Sequence, residues 1–207
     1  QMLNLAVTRV GFNSQEHVPL FVDIVGAPLT RQEQISRIKL VVADATLWPA
    51  YRAIVDPMAE PVAVDETTKA ELLQLLEPAV EAGRAVAIFF PRGVGPHTWH
   101  GDERKQIQIQ RRFQLLGMTA DGMRVWDIRR ASQTLRLATN QIAELTLTDQ
   151  GQTGQLVLLA GLFEPESTIV RINNIAMQRE QQPAILNFSR VATPDQLQSL
   201  VNAGTSR

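Results

Sequence analysis

The stretch "IAELTLTDQGQTGQLVLLAGLFEP", Ile142–Pro165, reads as a strand running through a tight turn directly into a helix. The strand is Ile142–Thr148, the turn is Asp149-Gln150-Gly151-Gln152-Thr153, and the helix is Gln152–Leu162. Glycine accepts a positive φ without steric penalty, so Gly151 suits the sharp centre of such a turn.

Upstream, "LNLAVTRVGF" and "VPLFVDIVG" alternate apolar and polar residues around the polar "NSQEH", which predicts an antiparallel strand pair. "RIKLVVADA", Arg37–Ala45, has its apolar residues in a run, as in a strand buried on both faces of a sheet. A helix is predicted from about Glu66, behind an N-cap at Asp65, with Pro78 kinking or ending it. Gly83, a short strand at Ala85–Phe90 and a Gly/Pro loop follow. "DERKQIQIQRRFQLLG" and "ADGMRVWDIRRASQTLRL" predict two more helices, the second placing Val125, Ile128, Ser132 and Leu135 on one face. "STIVRINNI" reads as a last strand and "TPDQLQSLV" as a short closing helix. Strands alternating with helices predict a mostly parallel sheet covered on both faces. Ligands in such sheets sit at the carboxyl ends of the strands, where "PRGVGPHTWHGDE" and "DQGQTG" both fall.

The 207 residues, 44% of them hydrophobic, suffice for one domain with one sizeable core. Twenty basic residues nearly balance 21 acidic ones, which gives no general attraction to nucleic acid or to an anionic membrane. His97–Asn140 is the local exception, with a basic excess that reads first as solvated helix faces and second, over Arg104–Arg136, as a surface for an acidic partner. No cysteine is present, which excludes disulfides and thiolate chemistry and leaves the compartment open. No apolar run approaches a membrane span. The sequence opens at Gln1, which reads as a fragment or processed form whose targeting segment has been cut away, compatible with export from a bacterial cell.

In the nucleophile elbow G-x-S-x-G, a serine sits on a strained strand-to-helix turn. Here glycine, Gly151, stands at the central position, flanked by Asp149, Gln150, Gln152 and Thr153, so the turn is kept and the hydroxyl is not. Arg92-Gly93-Val94-Gly95 follows a strand and could present backbone N–H groups to a developing oxyanion, with Arg92 adding a cation if it points inward. His97 and His100 could share a zinc, yet no third ligand is implied and a helix start accounts for Asp102 and Glu103. No metal or cofactor is therefore expected. All three histidines precede Gly151, whereas a catalytic histidine in this chain order follows the nucleophile. "NFS", Asn187–Ser189, matches a glycosylation sequon by pattern only.

The run "AIFFPRGVGPHTWHGDERKQIQIQRRFQLLGMTADGMRVWDIRRASQTLR", with "DQGQTGQLVLLAGLFEP" and "PAILNFSRVATPDQLQSL", resembles the α/β-hydrolase relatives of acetyl xylan esterase and dienelactone hydrolase. More narrowly, it resembles the C-terminal hydrolase-like domain of large bacterial proteins of the planctomycete type, over Arg37–Val201. The resemblance implies an α/β-hydrolase three-layer sandwich, shortened at its C-terminal end, with ester cleavage through an acyl-enzyme as the superfamily chemistry. No catalytic residue carries across, because the nucleophile position is Gly151 and the late histidine has no match.

The expectation is one hydrolase-like domain over 1–207, with a strand pair at 1–36 and a core at 37–201. It would be catalytically degenerate and serve as a structural or binding module of a longer protein. A shortened sheet edge predicts a covering segment, another domain of the same protein, or self-association. Two alternatives stand beside this expectation: an esterase working through His97 or His100, and the acidic-partner surface.

Overall fold

The computed structural model describes residues 5–26, 35–56, 58, 62–99, 101–139, 142–165, 167–173, 183–185, 193, 195–196 and 199. His100, the sequon and most of the closing helix lie outside them. At that helix's start Thr193 and Gln196 exchange side chain-to-backbone hydrogen bonds as a capping box (3.3 and 2.8 Å).

Among the described residues six strands form one sheet in the order β1-β2-β4-β3-β5-β6. They are β1 (Ala6–Gln15), β2 (Val18–Gly26), β3 (Arg37–Val42), β4 (Arg84–Phe89), β5 (Glu144–Asp149) and β6 (Thr168–Arg171). The β1–β2 hairpin is antiparallel and β2 continues antiparallel onto β4. From β4 to β6 every pairing is parallel. The predicted strand pair thus extends the same sheet. Its turn is Glu16-His17, with His17 at φ 63°, and a bulge between Asn13 and Gln15 leaves Ser14 unpaired and aimed inward.

Among the described residues there are five α-helices, α1 (Trp48–Val55), α2 (Glu66–Leu76), α3 (Glu103–Leu115), α4 (Ala120–Ala138) and α5 (Gly154–Gly161), of which α3 adds no residue to either core. Asp65 caps α2 through the Thr68 N–H, and Pro78 sits in the 3-10 turn Glu77–Val80 that ends it, as the sequence predicts. On one face α4 and α5 bury Ile128, Ala131, Leu135, Leu156, Val157 and Ala160 against Ile38, Leu40, Val42, Leu145 and Leu147. On the other face α1 and α2 bury Leu47, Tyr51, Leu72 and Leu76 against Val25, Val41, Val86 and Ile88. Each valine, leucine or isoleucine among them taken from water contributes about 1.5–3 kcal/mol. The result is the expected three-layer α/β sandwich.

Two readings need correcting. The helix α1 is not foreseen, because it is only eight residues long, carries Pro49 in its first turn and has no side-chain cap. The strand β3 is buried on both faces only toward its carboxyl end. Its burial pattern leaves Arg37 exposed and Lys39 half-buried, on the face where β5 offers Thr146 and Thr148 in place of leucines.

Candidate functional site

The strand-to-helix turn forms as predicted. β5 ends at Asp149, Gly151 adopts φ 70°, and α5 starts at Gly154. The turn is pinned to β3 by two bonds to the Val42 carbonyl, from the Gln150 N–H (2.9 Å) and from the Thr153 hydroxyl (2.7 Å). Thr153 is buried and its proton is used in holding the turn. Asp149 is also buried, and its Oδ1 accepts the Asn173 N–H beyond β6 at 2.6 Å. These residues are architectural.

The decisive neighbour is Asp44, in the loop between β3 and α1. A Cβ built on Gly151 would lie 1.9 Å from Asp44 Oδ2 and 2.4 Å from its Cγ. The Asp44 carboxylate thus stands where a side chain at position 151 would be. The Gln152 N–H donates to Asp44 Oδ2 at 3.0 Å. The Thr46 N–H donates to Oδ1 at 2.9 Å, joined by the Thr46 hydroxyl. Asp44, Thr46 and Gln152 then line two clefts at the carboxyl ends of the strands. One, of about 390 Å³, is closed by Pro91, Val94, Arg124 and Leu156. The other, of about 620 Å³, runs toward Glu71, Gln74 and Leu75 of α2.

No family model and no curated protein matches the sequence. Solved structures do match. A provisionally named acetyl xylan esterase from Bacteroides fragilis NCTC 9343 superposes on 100% of this chain with a TM-score of 0.65 at 12% identity. An acetyl xylan esterase from Paenibacillus sp. R4 superposes on 79% of it with a TM-score of 0.50 at 13% identity. The chain has the α/β-hydrolase fold. It spans 58% of the first protein's length and 46% of the second's. At these identities the likeness concerns the fold.

In α/β-hydrolases the oxyanion hole combines the N–H of the residue after the nucleophile with an N–H from the loop after the third strand. In this chain the Gln152 N–H follows the turn glycine, and the Thr46 N–H belongs to the loop after β3. Both N–H groups converge on the Asp44 carboxylate.

The segment Arg92–Gly95 is placed differently from the sequence reading. It follows β4, and its donors are turned into the protein. The Arg92 N–H donates to Asp127 Oδ2, the Gly93 N–H to the His97 carbonyl and the Val94 N–H to the Pro91 carbonyl. Gly93 (φ 71°) and Gly95 (φ 53°) pack against Trp99 and Phe90. The Arg92 side chain does not enter the cleft. It is buried in a fork on Asp127, with Nε–Oδ2 at 2.8 Å and Nη2–Oδ1 at 2.6 Å, and it also meets Gln15 and Ser14. Only Pro91 and Val94 of this loop line the smaller cleft.

The half-buried His97 ring is likewise held by the fold. Its Nε2 accepts the Phe21 N–H at 3.3 Å, which leaves Nδ1–H to donate to the Phe90 carbonyl at 2.7 Å. Phe21 packs edge-on to it at 4.5 Å. Burial lowers the His97 pKa below its ordinary 6.5, partly opposed by the Phe90 contact. As pH falls below about 6.5 the unfolded chain takes a proton that the folded chain still refuses, so stability falls with pH in that window. We expect the urea midpoint to drop between pH 7.5 and 5 in the wild-type protein, and to drop less in His97→Gln. Equal slopes would show that another group carries the effect.

The basic run divides in two. On α4, Arg124 pairs with Asp121, Arg130 bonds Gln133, Arg136 bonds Thr168, and Arg129 stacks over Trp126 and Phe163. These arginines are engaged within the domain. Arg104, Arg111 and Arg112 lie exposed on α3. Sequence reasoning missed Asp44 altogether. Its only local signal is a carboxylate just beyond a strand end, and its partner at Gln152 is 108 residues away.

Proposed function

We propose that this chain is a catalytically degenerate α/β-hydrolase-like domain that acts as a structural or binding module of a larger protein. The observation that carries this reading is the Asp44 carboxylate. It fills the space beside Gly151 and takes the Gln152 and Thr46 N–H groups that would otherwise stabilise an oxyanion. A negative charge there opposes the second negative charge of a tetrahedral intermediate. No histidine follows the turn, and His97 has both ring nitrogens committed to backbone groups. The clefts flanking the turn would then serve binding, and another domain of the same protein is the partner we favour.

The test is hydrolysis of p-nitrophenyl acetate together with labelling by a fluorophosphonate. Wild-type protein, Gly151→Ser and Gly151→Ser/Asp44→Gly should all remain at the blank rate, unlabelled. Turnover by the wild-type protein that is lost in Asp44→Asn or His97→Gln would overturn the proposal, since one of those groups would then be catalytic.

A further inference from the structure

The face of the sheet that carries α1 and α2 changes character between β4 and β5. Over β2 and β4 it is apolar and covered. Over β3, β5 and β6 Val41 still belongs to that core, but Arg37, Lys39, Glu144, Thr146, Thr148, Ile169 and Arg171 belong to neither core. A central strand such as β5 ordinarily presents apolar residues on both faces of a sandwich. Here β5 gives Leu145 and Leu147 to one face and Glu144, Thr146 and Thr148 to the other.

These residues line a groove of about 500 Å³. The strand register arranges them. Lys39 lies opposite Thr146, and Thr148 lies opposite Arg171. With strands about 4.8 Å apart and about 3.3 Å of rise per residue, Lys39 and Arg171 stand diagonally across β5, close enough for two long side chains to reach one small ligand. Among the described residues neither Lys39 nor Arg171 makes a side-chain hydrogen bond or an ion pair. Lys39 is half-buried, and both its burial and the Arg171 charge disfavour its ammonium form. Two like charges facing each other over threonines, across β5 beside the sheet's β6 end, destabilise the empty groove. An anion would relieve this arrangement.

We propose that the groove binds a small oxyanion-bearing ligand, a phosphate or a polycarboxylate, bridged between the Lys39 ammonium and the Arg171 guanidinium above the Thr146 hydroxyl, beside the buried Thr148, whose Oγ1 accepts the Asn173 amide at 3.1 Å. Arg37 and Arg84 extend the positive charge along the groove, although Arg84 is partly neutralised by Glu81 at 3.0 Å. Glu144 at the far end limits how long a polyanion the groove accepts. The groove shares Lys39 and Asn173 with the larger cleft beside the elbow, and the proposal does not depend on whether the elbow is active.

The experiment is titration calorimetry of the full chain at low ionic strength, with inorganic pyrophosphate and, separately, citrate. Saturable binding of either ligand is expected, and the tighter of the two assigns the anion as phosphate-like or carboxylate-like. Charge-assisted hydrogen bonds of this kind are worth enough that Lys39→Met or Arg171→Gln should each weaken binding about tenfold or more. Arg104→Gln on α3 should leave it unchanged. In the wild-type protein the bound anion should also slow reductive methylation of Lys39, mapped by mass spectrometry, independently of any variant's folding. No binding of either anion, equal binding by wild type and Lys39→Met, or unchanged methylation at saturation would each overturn the proposal.

Discussion

Asp127→Ala is expected to lower the free energy of unfolding by about 3–5 kcal/mol, because it strands a buried guanidinium. Asp127 is 0% exposed and Arg92 is 5% exposed, so water cannot replace the missing partner. The carboxylate also accepts the Ser14 hydroxyl and the Arg92 N–H. It thereby joins the β1 bulge, the loop after β4 and α4. Trp126 Nε1 adds a bond to the Ser14 carbonyl at 2.9 Å, and Arg124 Nε one to the Arg92 carbonyl at 3.1 Å. A loss of this size is a large share of the roughly 5–15 kcal/mol that holds most domains folded. The measurement is urea unfolding of wild type, Asp127→Ala, Asp127→Asn and the double variant Arg92→Met/Asp127→Leu. Apolar replacement of both partners removes the stranded charge, so the double variant should be clearly more stable than Asp127→Ala. A double variant as unstable as the single one would mean that packing dominates, not the unpaired ion.

That ion pair also shows where sequence reading stops. Arg92 sits in a Gly/Pro loop after a strand, and its position along the chain fits a cation at a site equally well. What decides its role is Asp127, 35 residues on and one face of a helix away. Asp127 adjoins Ile128 in α4 but lies off the face of Val125, Ile128, Ser132 and Leu135 that the sequence marks, so nothing local signals its burial. Local patterns were legible. The alternation of β1 and β2, the Asp65 cap and the glycine turn all follow from neighbours within a few residues. The polar face of β3 was hidden inside an apolar run, since the alternation Arg37-Ile38-Lys39-Leu40 acquires meaning only when β5 presents Thr146 beside Lys39. Asp44 was invisible for the same reason, because its effect on Gly151 exists only once β3 and β5 lie side by side.

The Gly151–Asp44 contact should appear as an energetic coupling. Gly151→Ala places a Cβ at φ 70°, a left-handed conformation that costs an L-residue about 1–2 kcal/mol. The same Cβ must displace the Asp44 carboxylate, whose hydrogen bond from Gln152, as a bond to a charged group, is worth about 1.5–3 kcal/mol. The single variant should therefore lose about 2.5 kcal/mol, the sum of the lower ends of both ranges. Asp44→Gly alone gives up the same hydrogen bonds but relieves no clash, and it should lose less than Gly151→Ala. In the Asp44→Gly background the carboxylate is already gone, so Gly151→Ala should cost only its backbone strain of about 1–2 kcal/mol. Urea unfolding of the four proteins closes the cycle, and the double variant should be more stable than the two single losses predict by at least about 1 kcal/mol. Strict additivity would place the Asp44 carboxylate away from the turn in solution. The two N–H groups of Gln152 and Thr46 would then be open to an incoming oxyanion, and the case for a degenerate elbow would rest on the missing hydroxyl and histidine alone.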